Sequence, residues 1–163
     1  MTKGKNTKLV ILAAEEINKK LNRLACQIAE NHAKDQHLQF IGLNTRGYKL
    51  AELLCQKVKE YIDVSTIIFQ GYTENANEIL AMENLKANQP IIIVDDVLNT
   101  GRSIYHLLSL LSPISPVQLE IGVLANRHHK QFPIHANYVG LTFATTVQEH
   151  IYFDIKKPEL YLE

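Results

Sequence analysis

The chain has 163 residues, 46% of them hydrophobic, enough for one substantial core but short of the length that two independent domains usually need. Its 17 Lys and Arg balance its 17 Asp and Glu, which excludes a global positive field able to hold a polyanion, so any nucleic-acid role must rest on a local patch. Cys26 and Cys55 fall in stretches of helical period with no CxxC or His/Cys grouping, and read as reduced structural thiols, not as a metal or redox site.

In chain order, Met1 to Lys8 is polar and basic. The apolar run Leu9 to Ala14 is too short for a signal h-region or a membrane span, so a cytoplasmic protein without a membrane partner is expected. Ile17, Leu21, Leu24 and Ile28 recur at helical spacing, which predicts an amphipathic helix from Ala13 to Ala33. Leu38 to Leu43 is a short apolar run ending in Asn44-Thr45-Arg46-Gly47, and Leu50, Leu53, Leu54, Val58 and Tyr61 then restore the helical period: strand, tight loop, helix. The β-branched run Val64 to Phe69 predicts a second strand. The continuous apolar run Ile91 to Val94 predicts a third, of the kind covered on both faces in a parallel sheet. Ile104, Leu107, Leu108 and Leu111 mark a further helix, which Ser112-Pro113-Ile114-Ser115-Pro116 breaks, and Val117 to Leu124 supplies a fourth strand. Tyr138 to Leu141 and His150 to Ile155 read as short edge strands. The alternation of strands and helices implies a parallel α/β sheet with ligands at the carboxyl ends of its strands.

Asp95 and Asp96 directly follow the third strand, where such a sheet aims side chains into its ligand crevice. Paired acids there can accept hydrogen bonds from vicinal hydroxyls or neutralise a metal ion. Thr100, Gly101 and Ser103 open the next helix, so backbone amides and hydroxyls converge on a space suited to a phosphate, with Gly101 permitting a close approach. Acids for a diol, one loop away from an anion cup, describe a ribose 5-phosphate site. A receiver-like use of the two acids for magnesium fits less well, because those domains carry their acid pair near the first strand.

The stretch Ile92-Ile93-Val94-Asp95-Asp96-Val97-Leu98-Asn99-Thr100-Gly101-Arg102-Ser103 resembles the phosphoribosyl pyrophosphate signature of type I phosphoribosyltransferases. The resemblance implies that family's α/β fold, a central parallel sheet flanked by helices with a small hood, in a single domain over residues 1–163. It implies that Asp95 and Asp96 hold the ribose hydroxyls, that Asn99, Thr100, Gly101, Arg102 and Ser103 wrap the 5′-phosphate, and that Thr45, Arg46 and Gly47 cradle the pyrophosphate. Asp95, Asp96 and Arg46 are then the candidate catalytic residues. For Arg102 a phosphate contact and a solvated helix face are both open. Over Val10 to Phe153 the likeness is to the bifunctional pyrimidine-operon attenuator/uracil phosphoribosyltransferase family. It is carried by Val123-Leu124-Ala125-Asn126-Arg127-His128-His129-Lys130-Gln131-Phe132-Pro133-Ile134, followed by Asn137-Tyr138-Val139-Gly140. By that likeness Val123, Leu124, Ala125, Asn126 and Arg127 line the base pocket and Arg127 places the base, while His128 and His129 either join it or cap a surface loop.

The implied reaction is attack of a base nitrogen on the anomeric carbon with departure of pyrophosphate. Uracil to uridine monophosphate is the favoured case, with Mg2+ arriving through the substrate and no metal held by the protein alone. Purine enzymes of similar signature usually carry an aspartate just before Thr-Gly; Asn99 stands there and cannot act as a general base, which favours a pyrimidine. The family's mobile loop corresponds to residues 70–86. Here Lys86 is its only cation against Glu74, Glu78 and Glu83, with Tyr72 as the aromatic element, so a catalytically weak nucleotide-binding relative is one alternative. A nucleotide-sensing RNA-binding regulator of pyrimidine genes is another, for which Lys19, Lys20 and Arg23 would form either a basic stripe or a solvated helix face. A homodimer or higher homo-oligomer is implied by the same resemblance.

Overall fold

The computed structural model describes residues 8–71, 82–144 and 149–162. Its elements are β1 (Leu9–Leu12), α1 (Ala14–Asn31), β2 (His37–Leu43), α2 (Asn44–Tyr61), β3 (Ser65–Gly71), β4 (Ile91–Leu98), α3 (Arg102–Leu111), β5 (Leu119–Arg127), β6 (Tyr138–Phe143), β7 (Ile151–Asp154) and β8 (Glu159–Leu162). Five strands form a parallel sheet in the order β3-β2-β4-β5-β6, and β1, β8 and β7 form a separate antiparallel sheet, the hood. No helix among the described residues is long and apolar enough to cross a membrane.

The run Ile91 to Val94 is apolar throughout because its two faces meet different helices. Ile92 and Val94 join Leu21, Leu24 and Ile28 of α1 and Leu50, Leu54 and Val58 of α2 in one core, whereas Ile91 and Ile93 join Ile104, Leu107 and Leu111 of α3 in the other. α1 starts at an extended Ala13, whose backbone N–H donates to Glu16 Oε2 at 3.0 Å; Ala13 has no side-chain oxygen to return the bond, so only half of a capping box forms. At the amino end of β5, His32 at the end of α1 is buried between two carboxylates. Its Nδ1 lies 2.7 Å from Asp35 and its Nε2 2.7 Å from Glu120, which also accepts from the Tyr138 hydroxyl at 2.9 Å. This clasp ties α1 to β5 and β6 at the end of the sheet away from the ligand crevice.

Four expectations change. Asn44-Thr45-Arg46-Gly47 is the first turn of α2 and not a loop, because Asn44 turns the chain in a single left-handed residue at φ 53°. The third strand runs on to Leu98, so Asp95 and Asp96 lie inside it, with Asp95 opposite Val123 and Val97 opposite Ala125. The fourth strand begins at Leu119 because the Val117 N–H is taken by the Ala87 carbonyl at 2.7 Å. His150 to Ile155 does not edge the main sheet, since among the described residues β7 pairs only with β8, while β6 and β3 are the edges. Of the segment 70–86, Tyr72, Glu74 and Glu78 lie outside the described residues.

Candidate active site

The chain enters β2, crosses by α2 to β3 on one side, and later leaves β4 by α3 toward β5 on the other. The strand order therefore reverses between β2 and β4, and α2 and α3 depart on opposite faces. A crevice opens at the carboxyl ends of these two strands, the place where open parallel sheets hold ligands. Asn44 to Gly47 form one wall, and Asp95 to Ser103 form the other.

Gly47 lets the first wall come close. A Cβ there would stand 2.6 Å from the Val94 carbonyl oxygen, so only glycine allows the start of α2 to rest on β4. No acid occupies the first turn of α2 and no side chain caps it. Its amide donors and the positive end of its dipole thus face the crevice. Thr45 and Arg46 are exposed there, and with Asp96 and the hood residue Ile155 they border a cavity of about 330 Å³.

Across the crevice, alternation along β4 slips by one residue at the acid pair. Val94 and Val97 pack on the same core, three positions apart, and the ladder to β5 skips Asp96 and Leu124 while keeping its register. The distortion turns both acids toward the crevice, and the Asp96 N–H donates to Asp95 Oδ1 at 2.9 Å. Asp95 keeps part of its surface open at the crevice, yet burial pushes its carboxyl well above the usual carboxylate range. The adjoining Asp96 pushes it the same way, and Arg46 opposes them. A cation or hydroxyl donors at this position would offset the cost of ionising it.

The second wall closes on a cup of about 50 Å³ between Asp95 and Ile104, room for a group of a few heavy atoms. Gly101 is the N-cap of α3 at φ 86° and brings no side chain to cap it. Thr100 Oγ1 accepts from the Arg102 N–H at 3.3 Å, and Asn99, Thr100, Gly101, Arg102 and Ser103 all border the cup. The Arg102 guanidinium, however, lies over the Phe132 ring, 5.6 Å from its centroid, so the residue borders the cup while its charge is drawn sideways.

Phe132 belongs to a feature the sequence reading did not single out. The segment after β5 folds back over the cup: the Gln131 and Phe132 N–H groups both donate to the Thr100 carbonyl, and Phe132 stacks on Tyr105 of α3 at 4.8 Å. The Thr100 carbonyl is thereby fixed from outside.

The five residues expected at the base divide. Val123, Leu124 and Ala125 are buried, their side chains packed in the two cores. Asn126 and Arg127, at the carboxyl end of β5, border a cavity of about 360 Å³ shared with His128, Lys130 and His135. Arg127 is only 4% exposed and donates from Nη1 to Asn99 Oδ1 at 3.2 Å, which joins the end of β5 to the loop after β4. Lys130 donates to Asn126 Oδ1 at 2.6 Å and to the Arg127 carbonyl, and desolvation, then Arg127, lower its pKa from the ordinary lysine value. Lys130 and Phe132 could have been found from their place in the run 123–134, since both follow the strand that ends at the crevice.

The phosphoribosyl transferase domain family model matches residues 10–156. The Bifunctional protein PyrR of Elusimicrobium minutum is 32% identical over 161 residues, covering 91% of this chain and 90% of that protein. The protein of the same name from Deinococcus deserti is 33% identical over 155 residues, covering 87% and 85%. Among solved structures, the hypoxanthine phosphoribosyltransferase of Trypanosoma cruzi superposes with a TM-score of 0.78 at 16% identity, covering 94% of this chain and 95% of its own. A hypoxanthine-guanine phosphoribosyltransferase from Bacillus anthracis gives 0.69 at 18%, covering 83% and 81%. With an open parallel sheet, a hood and this acid pair, the matched chain belongs to the phosphoribosyl transferase domain family.

Proposed function

We propose that the chain transfers ribose 5-phosphate from phosphoribosyl pyrophosphate to uracil, giving uridine monophosphate and pyrophosphate. The observation that carries the reading is the meeting, at one switch point, of an acid pair, a phosphate-sized cup and an uncapped helix start bearing Arg46. In this reading Asp95 and Asp96 accept hydrogen bonds from the ribose hydroxyls, and the amides from Asn99 to Ser103 bind the 5′-phosphate. The start of α2, with Thr45, Arg46 and Gly47, receives the pyrophosphate. Asn126 and Arg127 face the base. Asn99 Oδ1 is engaged by Arg127, and an amide there cannot take a proton from a purine ring, which favours a pyrimidine acceptor.

Oxygen donors of the acid pair fit Mg2+, a hard cation that would share its ligands with the substrate. When bound, the ion neutralises charge on the departing pyrophosphate. The protein's own part is positioning: the two walls fix the phosphates at either end of the sugar so that the anomeric carbon is held between them and the base. Assembly as a homodimer or higher homo-oligomer in the cytoplasm belongs to the same reading, and sedimentation velocity measures the assembly. Calorimetry of phosphoribosyl pyrophosphate binding to the double variant Asp95→Asn/Asp96→Asn tests the site. Binding should weaken by at least tenfold, on the order of 1.4 kcal/mol, with the thermal transition retained, and unchanged binding would sink the assignment.

A second reading, an RNA-binding regulator, draws on Lys19, Lys20 and Arg23 of α1, which border a groove of about 440 Å³ with Leu12 and Leu141. Arg23 is already committed, donating to the Val139 and Gly140 carbonyls at 2.9 and 2.8 Å, and Lys19 pairs with Glu15 at 2.9 Å. Filter binding of a pyrimidine-operon leader RNA across a salt series separates the readings, since real phosphate contacts give a steep negative slope.

A further inference from the structure

Arg46 is exposed at the start of α2, and among the described residues no carboxylate forms an ion pair with it. A ring lies beside it instead: its Cζ stands 5.5 Å from the centroid of Tyr152 on β7. Tyr152 is directly opposite Tyr161 of β8 in the hood's antiparallel register, and the two rings stack at 5.8 Å with planes 24° apart. Lys8 Nζ in turn sits 3.6 Å from the centroid of Tyr161. Each of the two stacked rings thus has a cation over it, Lys8 at Tyr161 and Arg46, on the wall of the crevice, at Tyr152.

We propose that Tyr152 is a positioning residue for Arg46, holding the guanidinium where pyrophosphate arrives. The proposal rests on reading Arg46 as a pyrophosphate ligand. A long, exposed arginine loses much rotamer freedom when it is ordered, and a ring attracts the cation without consuming any of its five N–H donors, all of which stay available to phosphate oxygens. An ion pair would order the side chain equally well but would compete with the ligand for those donors. Tyr161 stiffens the arrangement from behind, since a ring stacked on another ring can tilt less freely. The hood therefore contributes to the pyrophosphate site through a face it presents to α2, although its strands lie far from the signature in sequence.

The test is steady-state kinetics on the full chain with five substitutions at one position. Tyr152→Leu should raise the KM for phosphoribosyl pyrophosphate roughly three- to tenfold, with kcat and the KM for the base within about twofold of the parent. Tyr152→Phe keeps the ring face and should restore the parent KM. Replacing Tyr152 by phenylalanines carrying one, two and three fluorines removes electron density from the face at nearly constant shape, and the KM should climb at each step. That series does not depend on Tyr152→Leu folding. A flat fluorine series, or a Tyr152→Leu defect confined to kcat or to thermal stability, overturns the inference and leaves the functional reading standing. A parent protein that releases no pyrophosphate with any base overturns that reading and this inference with it.

Discussion

Gly101→Ala is the sharpest probe of how the proposed phosphate cup is built. Gly101 sits at φ 86° and ψ −1°, a left-handed conformation that costs a residue with a Cβ about 1–2 kcal/mol. The added Cβ would also stand 3.1 and 3.2 Å from two carbons of Ile134 and 3.4 Å from Phe132 Cβ. Ile134 would have to yield by a few tenths of an ångström in a packed segment, a strain of about 1–2 kcal/mol. Alanine restricts the unfolded chain and returns about 0.4–1 kcal/mol. The net loss of about 2–3 kcal/mol should lower Tm by about 4–12 °C in a chain of this size. Gly122→Ala is the control: its Cβ would meet only Tyr138 carbons at 3.7 and 3.9 Å, with no unusual φ, so Tm should move by less than about 2 °C. Differential scanning calorimetry reads both variants, and titration with phosphoribosyl pyrophosphate reads the cup, which should bind at least tenfold more weakly in Gly101→Ala alone. Equal melting of the two variants, or parent-like binding by Gly101→Ala, would refute the reasoning.

Three further outcomes follow from the same contacts. Asp95→Asn removes a carboxyl whose folded pKa lies above its unfolded value, so the acid favours folding below about pH 4 and loses that contribution as pH rises through the folded pKa. The variant should therefore melt above the parent at neutral pH, with the gap closing toward pH 4 in a Tm-versus-pH series, while it binds phosphoribosyl pyrophosphate more weakly. His32→Leu breaks a buried clasp and leaves the Glu120 carboxylate short of a partner, for a loss of about 3 kcal/mol. It should show a fall in Tm of about 6–12 °C with an unchanged KM for phosphoribosyl pyrophosphate at low temperature, because the clasp lies at the amino end of β5. Burial pushes the Cys55 thiol up to about 12, so a disulfide reagent should modify only Cys26 in the native protein and both thiols in denaturant.

The parts of the fold legible in the sequence were those whose cause is local. The run Ile91 to Val94 announced a doubly covered strand because each residue's neighbours on both faces are apolar, and the periods in α1 and α2 followed from one buried stripe each. The hood was expected from the family resemblance alone, and its pairing could not be read from the residues that form it. β1 and β8 are four residues each and pair across nearly the whole chain, and a pairing of that separation leaves no periodic trace in either segment. Asn44 to Gly47 looked like a tight turn because Asn and Gly mark turns; in space the single left-handed Asn44 does the turning, and Gly47 is required by the Val94 carbonyl of a strand far along the chain. The acid pair and the cup were legible from residue order, whereas the fate of their neighbours was not. Arg102 turns to Phe132, Arg127 to Asn99, and Arg46 to Tyr152, and each of these partners lies at least 28 residues away along the chain.

The most direct measurement of the central claim is pyrophosphate release by the purified chain given phosphoribosyl pyrophosphate, Mg2+ and, in turn, uracil, hypoxanthine, guanine, adenine and orotate. The account predicts release with uracil and not with the purines or orotate. Release with hypoxanthine or guanine but not uracil would contradict the pyrimidine assignment drawn from Asn99, and no release with any base, despite tight binding of uridine monophosphate, would mean a nucleotide sensor that keeps the site without the chemistry.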